Sequence, residues 1–216
     1  MKKRILVTAF FICISGFFVS TANAEPVTIS LSATVNYVDD PAGALESKIN
    51  VGSIITGYYT YESTTPDSRP SEPSIAEYWH NASPSGISLT VGGFNFRTNP
   101  DNVNFLVSIT NNYSDQDNYL LRSYNNSPLS NGTLVGHISW QLDDLTATVF
   151  SSDALPVTAP ILSQWQFNHL RMDGDAIGGG TYLVDAAVTS VQLVPEPGTL
   201  LLLTLGSFLL RKRISN

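Results

Sequence analysis

This sequence predicts an all-β protein: a single antiparallel β-sandwich or jelly-roll-like domain, with a barrel as the alternative, preceded by a signal peptide and followed by one short hydrophobic helix. Three observations predict it. Apolar and polar residues alternate through segment after segment of the body. Clusters of Gly, Pro, Asn, Asp and Ser punctuate those segments, and none of them carries a helical stripe.

The elements follow in chain order. Lys2, Lys3 and Arg4 make a positive start, Ile5 to Val19 is mostly apolar, and Ala22-Asn23-Ala24 is a small-x-small site before Glu25. That is the layout of a secretory signal peptide cleaved after Ala24, with Ala22 and Ala24 as its recognition residues. Residues 1–24 are therefore set apart from residues 25–193, the expected β-domain, and from the tail, 194–216.

In "VTISLSATVNYV", Val27, Ile29, Leu31, Ala33, Val35 and Tyr37 alternate with hydroxyl and amide side chains. Successive residues of a strand point to opposite faces, so this is a half-buried strand. "SIITGYYTYE" places Ile55, Tyr59 and Tyr61 on one side. "GISLTVGGFNF" is two strands joined at Gly92-Gly93, which supply the positive φ angles of a two-residue hairpin. "VNFLVSIT" aligns Val103, Phe105, Val107 and Ile109, and "LVGHISWQL" aligns Leu134, Ile138, Trp140 and Leu142. "LTATVF", "QWQFNHLRM" and "TYLVDAAVTSVQLV" follow as later strands, for eight to ten in all. The longest irregular stretch, Ser63 to Gly86, reads as a surface or binding loop.

Charge narrows the partners. Between the cleavage site and Val194 there are five basic and 17 acidic residues, a net charge of −12. Phosphate backbones repel such a body, so nucleic acid is not an expected partner. The one cysteine, Cys13, lies in the signal peptide, so the mature domain has neither disulfide nor thiol chemistry.

Catalytic patterns are weak. Gly-x-Ser-x-Gly and His-Glu-x-x-His are both missing. The histidines at 80, 137 and 169 are scattered, and His137 faces away from Ile138 and Trp140, toward solvent. Asp39-Asp40, Asp115/Asp117, Asp143-Asp144 and Asp173/Asp175 could supply the two carboxylates of a glycoside hydrolase, but each pair sits where Asp favours turn hydrogen bonds. The expectation is a non-enzymatic protein with no catalytic residue, metal or cofactor. A Ca²⁺ site assembled from several loops and a secreted glycoside hydrolase stand as alternatives. Saccharide binding is the stronger alternative. Trp79 in "AEYWHN" is its candidate ligand-binding residue, assisted by Tyr78 and Tyr113, unless Trp79 folds back against the core edge. Trp140 and Trp165 lie on strand patterns and are assigned to the core.

The tail reads "VPEPGTLLLLTLGSFLLRKR". As a helix, about 198–210 spans roughly 20 Å, short of a hydrocarbon core near 30 Å. Arg211, Lys212 and Arg213 would stay cytoplasmic and hold the body on the opposite side. This ending resembles the PEP-CTERM sorting signal of Gram-negative bacteria: Val194, Pro195, Glu196 and Pro197 match the motif, Gly198 to Leu210 the apolar helix, and Arg211 to Arg213 the basic stop. The resemblance implies an exported protein held briefly in the inner membrane and processed by an exosortase, an integral membrane cysteine transpeptidase. It implies a destination at the cell surface or in an exopolysaccharide (biofilm) matrix, with polysaccharide as a further candidate partner. It covers about twenty residues and assigns no activity to the body.

Overall fold

The computed structural model describes residues 26–195. The expected signal peptide, with Ala22 and Ala24, lies outside them, as do Glu196, Pro197, the apolar helix and Arg211 to Arg213.

Ten strands form in chain order: β1 (Pro26–Asp39), β2 (Ile54–Glu62), β3 (Ile75–His80), β4 (Gly86–Val91), β5 (Phe94–Arg97), β6 (Phe105–Tyr113), β7 (Gln116–Ser123), β8 (Leu134–Asp144), β9 (Phe167–Asp175) and β10 (Thr181–Leu193). They pair antiparallel in one sheet of order β3-β6-β7-β8-β9-β10-β1-β2-β4-β5. The all-β expectation holds. The finer expectation of two stacked sheets becomes a half-barrel, because hydrogen bonding is continuous across all ten strands and the sheet curls over its own core.

Facing side chains show the closure. Tyr59 on β2 packs edge-on against Trp140 on β8 at 5.8 Å, and the Tyr119 hydroxyl on β7 donates to the Tyr59 hydroxyl at 3.2 Å. Phe96 on β5 meets Tyr182 on β10 at 6.3 Å. Just past β5, Thr98 forms an isolated antiparallel bridge to Asn126, which ties the β5 edge of the sheet to the segment between β7 and β8. These rings are buried, and each contributes roughly 1.5–3 kcal/mol of hydrophobic stabilisation. Burial also pushes the Tyr59 and Tyr119 hydroxyl pKa values well above the ordinary value.

The alternation in β1 is realised: Ile29, Leu31, Ala33 and Val35 are buried while their neighbours are not. The β4–β5 hairpin turns at Gly92 and Gly93, both at positive φ, with Val91 opposite Phe94. A side chain at Gly57 of β2 would bring its Cβ to 2.1 Å from the Ser88 carbonyl oxygen, so only glycine lets β4 pair there.

Three expectations are corrected. Leu134 does not join the inner face of β8: it is 54% exposed, whereas Val135 is 8% exposed. Val135 pairs with Gly174 and His137 with Asp173, so Gly136 is an extra residue, a β-bulge that flips the strand's face. Second, "LTATVF" forms no strand. Asp144 accepts from the Thr146 and Thr148 amides, and Asp117 from those of Val149 and Phe150. The N–H groups a ladder would use are taken by carboxylates. Third, the stretch Ser63 to Gly86 is not wholly irregular, since it contains β3, the edge strand paired with β6.

Candidate functional site

Two regions bear on function: the exit of β10 toward the tail, and the outer face of the sheet around Trp79. At the exit, Leu193 lies opposite Ile29 of β1, and the Val194 amide donates to the Thr28 carbonyl at 2.8 Å. That is the final rung. Pro195 has no N–H to donate, so proline chemistry ends the ladder where the Pro-Glu-Pro motif begins.

Trp79 sits on β3, and its face of that strand is the outer one. Ala76, Tyr78 and His80 turn inward and are buried. Leu106 of β6 lies opposite Trp79, and Arg122 of β7 opposite Leu106. The indole stacks on Tyr124 with centroids 5.6 Å apart, and its Nε1 donates to Glu77 Oε2 at 3.2 Å. The Arg122 guanidinium lies 5.9 Å from the Tyr124 centroid, and His137 meets that ring edge-on at 5.6 Å. His137 Nδ1 is 3.3 Å from Asp173 Oδ1. The result is a partly exposed aromatic ridge with a polar rim, suited to stacking and hydrogen bonding. Trp79 is therefore neither a loop residue nor a plug on the core edge.

Its expected helpers are elsewhere. Tyr78 is buried and donates its hydroxyl to the Asp153 carbonyl at 2.9 Å. Tyr113 is exposed in the β6–β7 turn region, seven residues along β6 from the partner of Trp79, or roughly 23 Å at strand spacing. Tyr124, Arg122 and His137 take their places. Sequence reasoning missed Tyr124 because it follows β7, a strand hidden behind the turn-like "NNYSDQDN".

Of the paired aspartates, Asp40, Asp117 and Asp144 serve the backbone. Asp40 accepts from the Ala44 and Leu45 amides. Asp117 is buried and accepts from the amides of Asn112, Val149 and Phe150 at 2.8, 2.9 and 2.7 Å. The Thr146 hydroxyl and then the Thr148 amide hold the Asp144 carboxyl well below the usual carboxylate range. That shift is opposite to what a general acid needs. Asp143 accepts from Asn118 and Gln141, while Asp173 pairs with His137 and Arg171. Among the described residues, no three His, Cys, Asp or Glu side chains gather into a metal-holding group, and no helix is long and apolar enough to cross a membrane.

Compared with known proteins, residues 193–213 match the PEP-CTERM protein-sorting motif. The chain carries a PEP-CTERM sorting signal. No curated protein and no solved structure matches the chain. The PEP-CTERM match begins at Leu193, where β10 ends, so signal and folded domain abut with almost no linker. The signal supports an exported protein sorted by exosortase and brought to the membrane on its way toward the cell surface.

Proposed function

We propose that this is a non-catalytic component of the cell surface or of an exopolysaccharide (biofilm) matrix, held transiently in the inner membrane by its tail and released when exosortase acts at Val194 to Pro197. The PEP-CTERM match at 193–213 carries this reading. The exit geometry supports it: the final ladder bond is Val194 to Thr28, so a cut within the motif leaves all ten strands paired. A domain without cysteine suits export, because it needs no oxidation step to fold after translocation. No metal or cofactor belongs to this reading.

Intact mass and terminal sequencing of the extracellular form test it. The expected product begins at Glu25 and ends within the motif, and it disappears in a host without exosortase. The same product from an exosortase-deficient host overturns the sorting claim. Turnover of matrix polysaccharide that is lost in Asp→Asn variants overturns the non-catalytic claim.

A second reading, saccharide binding on the outer face, is favoured by the Trp79–Tyr124 stack. Polysaccharide pull-down that weakens in Trp79→Ala supports it, and retention unchanged by that substitution removes it.

A further inference from the structure

A separate groove lies on the outer face of the other half of the sheet. Tyr58 of β2 is directly opposite Ser88 of β4, and Ser88 is directly opposite Arg97 of β5. With strands about 4.8 Å apart, Tyr58 and Arg97 stand roughly 10 Å from each other across Ser88. Between them is a cavity of about 310 Å³, also lined by Asn95, Thr60 and Pro84. The volume lies at the small end of the range of ligand sites. The Tyr58 ring is 50% exposed.

The groove is rigidly built. Thr98, next to Arg97, accepts from the Ile87 amide at 3.0 Å and shares a 2.8 Å hydrogen bond with the Ser123 hydroxyl. Gly86 has φ +143°, and a Cβ there would meet the Thr98 side chain at 2.7 Å. That close approach seats the Ser83–Gly86 wall against the end of β5.

Charge distinguishes this place. Carboxylates outnumber cations in the body 17 to five. Lys48, Arg69 and Arg171 each pair with an acid, and Arg122 lies over Tyr124. Among the described residues, Arg97 alone of the five has neither a carboxylate nor a ring as partner. This guanidinium, with neither a carboxylate nor a ring as partner among the described residues, stands beside an exposed tyrosine and a row of small polar side chains. The Ser88 hydroxyl donates to Asn95 Oδ1 at 3.2 Å, and Asn95 Nδ2 has no acceptor among the described residues.

We propose that this groove binds a carboxylated sugar, a uronate-type residue of an acidic polysaccharide. The apolar face of the ring lies on Tyr58, the carboxylate takes the planar fork of Arg97, and ring hydroxyls reach Ser88 and Asn95. The domain's net negative charge opposes a polyanion, as it does nucleic acid. At 0.15 M salt, with a Debye length of about 8 Å, the distant carboxylates are partly screened while the short-range Arg97 contact is not, so the site takes a short stretch of the chain through that contact. The site is distinct from the Trp79 ridge and does not depend on the sorting route.

The test is calorimetric titration of the full chain in detergent with a 1,4-linked tetrauronate, and with the same tetramer after its carboxyls are reduced to hydroxymethyl groups. The expected result is binding of the tetrauronate at least tenfold tighter than of the reduced tetramer. Arg97→Ala should weaken it tenfold or more, Arg97→Lys less, and Tyr58→Ala severalfold, while Tyr37→Ala, at an exposed ring outside both candidate sites, leaves it unchanged. Arg97 and Tyr58 are exposed, and an unchanged melting temperature confirms that the variants fold. Equal affinity for the two tetramers, no binding of either, or full affinity in Arg97→Ala overturns the proposal. Loss of tetrauronate binding in Trp79→Ala alone assigns the ligand to the ridge and likewise overturns it.

Discussion

Replacing Asp117 with alanine should loosen the long β8–β9 connection and destabilise the domain with it. The carboxylate is buried and accepts three backbone N–H groups, from Asn112 in β6 and from Val149 and Phe150 in the connection. Each such bond to a charged acceptor is worth roughly 1.5–3 kcal/mol, and an orphaned buried donor costs about 1–3 kcal/mol. The bonds share one carboxylate and do not add. Asp144 also lies directly across the ladder from Asp117, so removing one charge relieves some repulsion. The expected net loss is about 3–5 kcal/mol, a large part of a typical domain stability of about 5–15 kcal/mol. For a domain of this size that corresponds to a melting point lower by about 6–20 °C. Asp117→Asn should lose less, since one amide oxygen still accepts. Calorimetry gives the melting point, and hydrogen exchange reads the Val149 and Phe150 amides directly. A loss below about 1 kcal/mol, with those amides as protected as in the parent, would refute the reasoning.

Two further predictions concern pH and the bulge. Burial holds the His80 pKa below 6.5. The folded state then binds fewer protons than the unfolded one, so its contribution is complete above about pH 6.5 and declines as pH falls below it. The depressed Asp144 carboxyl contributes stability above an unfolded pKa near 4, lost as pH falls through its folded value. Melting temperature should therefore decline in two stages on acidification, and His80→Gln should remove the upper one; an upper stage that persists in His80→Gln refutes the assignment. At the bulge, Leu134→Ser should change stability by no more than about 0.5 kcal/mol, whereas Val135→Ala should cost about 1–2 kcal/mol. Urea titration separates the two, and the reverse order would show that β8 is unbulged.

The legibility of the fold follows from how local each signal is. β1, β4 and β5 were readable because their inward residues are apolar and their outward ones polar, with Gly92-Gly93 marking the turn. β3 was not, because Trp79 and Ile75 put apolar groups on its outward side and His80 puts a polar one inside. Trp79 was legible as a candidate because an aromatic among polar neighbours stands out. Its partners were not, since Tyr124 and His137 reach it only through pairings across β6, β7 and β8.

By itself the sequence determined the PEP-CTERM ending, the all-β class and the acidity of the body. Each of these is written in residues adjacent along the chain, where period-two alternation, length and charge order can be read directly. Tertiary structure decided the rest. It chose one curled sheet over two stacked ones, turned Leu134 outward by inserting Gly136, and kept "LTATVF" out of the ladder by giving its amides to Asp117 and Asp144. It also set Tyr58, Ser88 and Arg97 in a single row. The physical reason is common to all of these: a backbone N–H or an arginine takes whichever partner lies within reach, and reach is set by long-range register that no local pattern encodes.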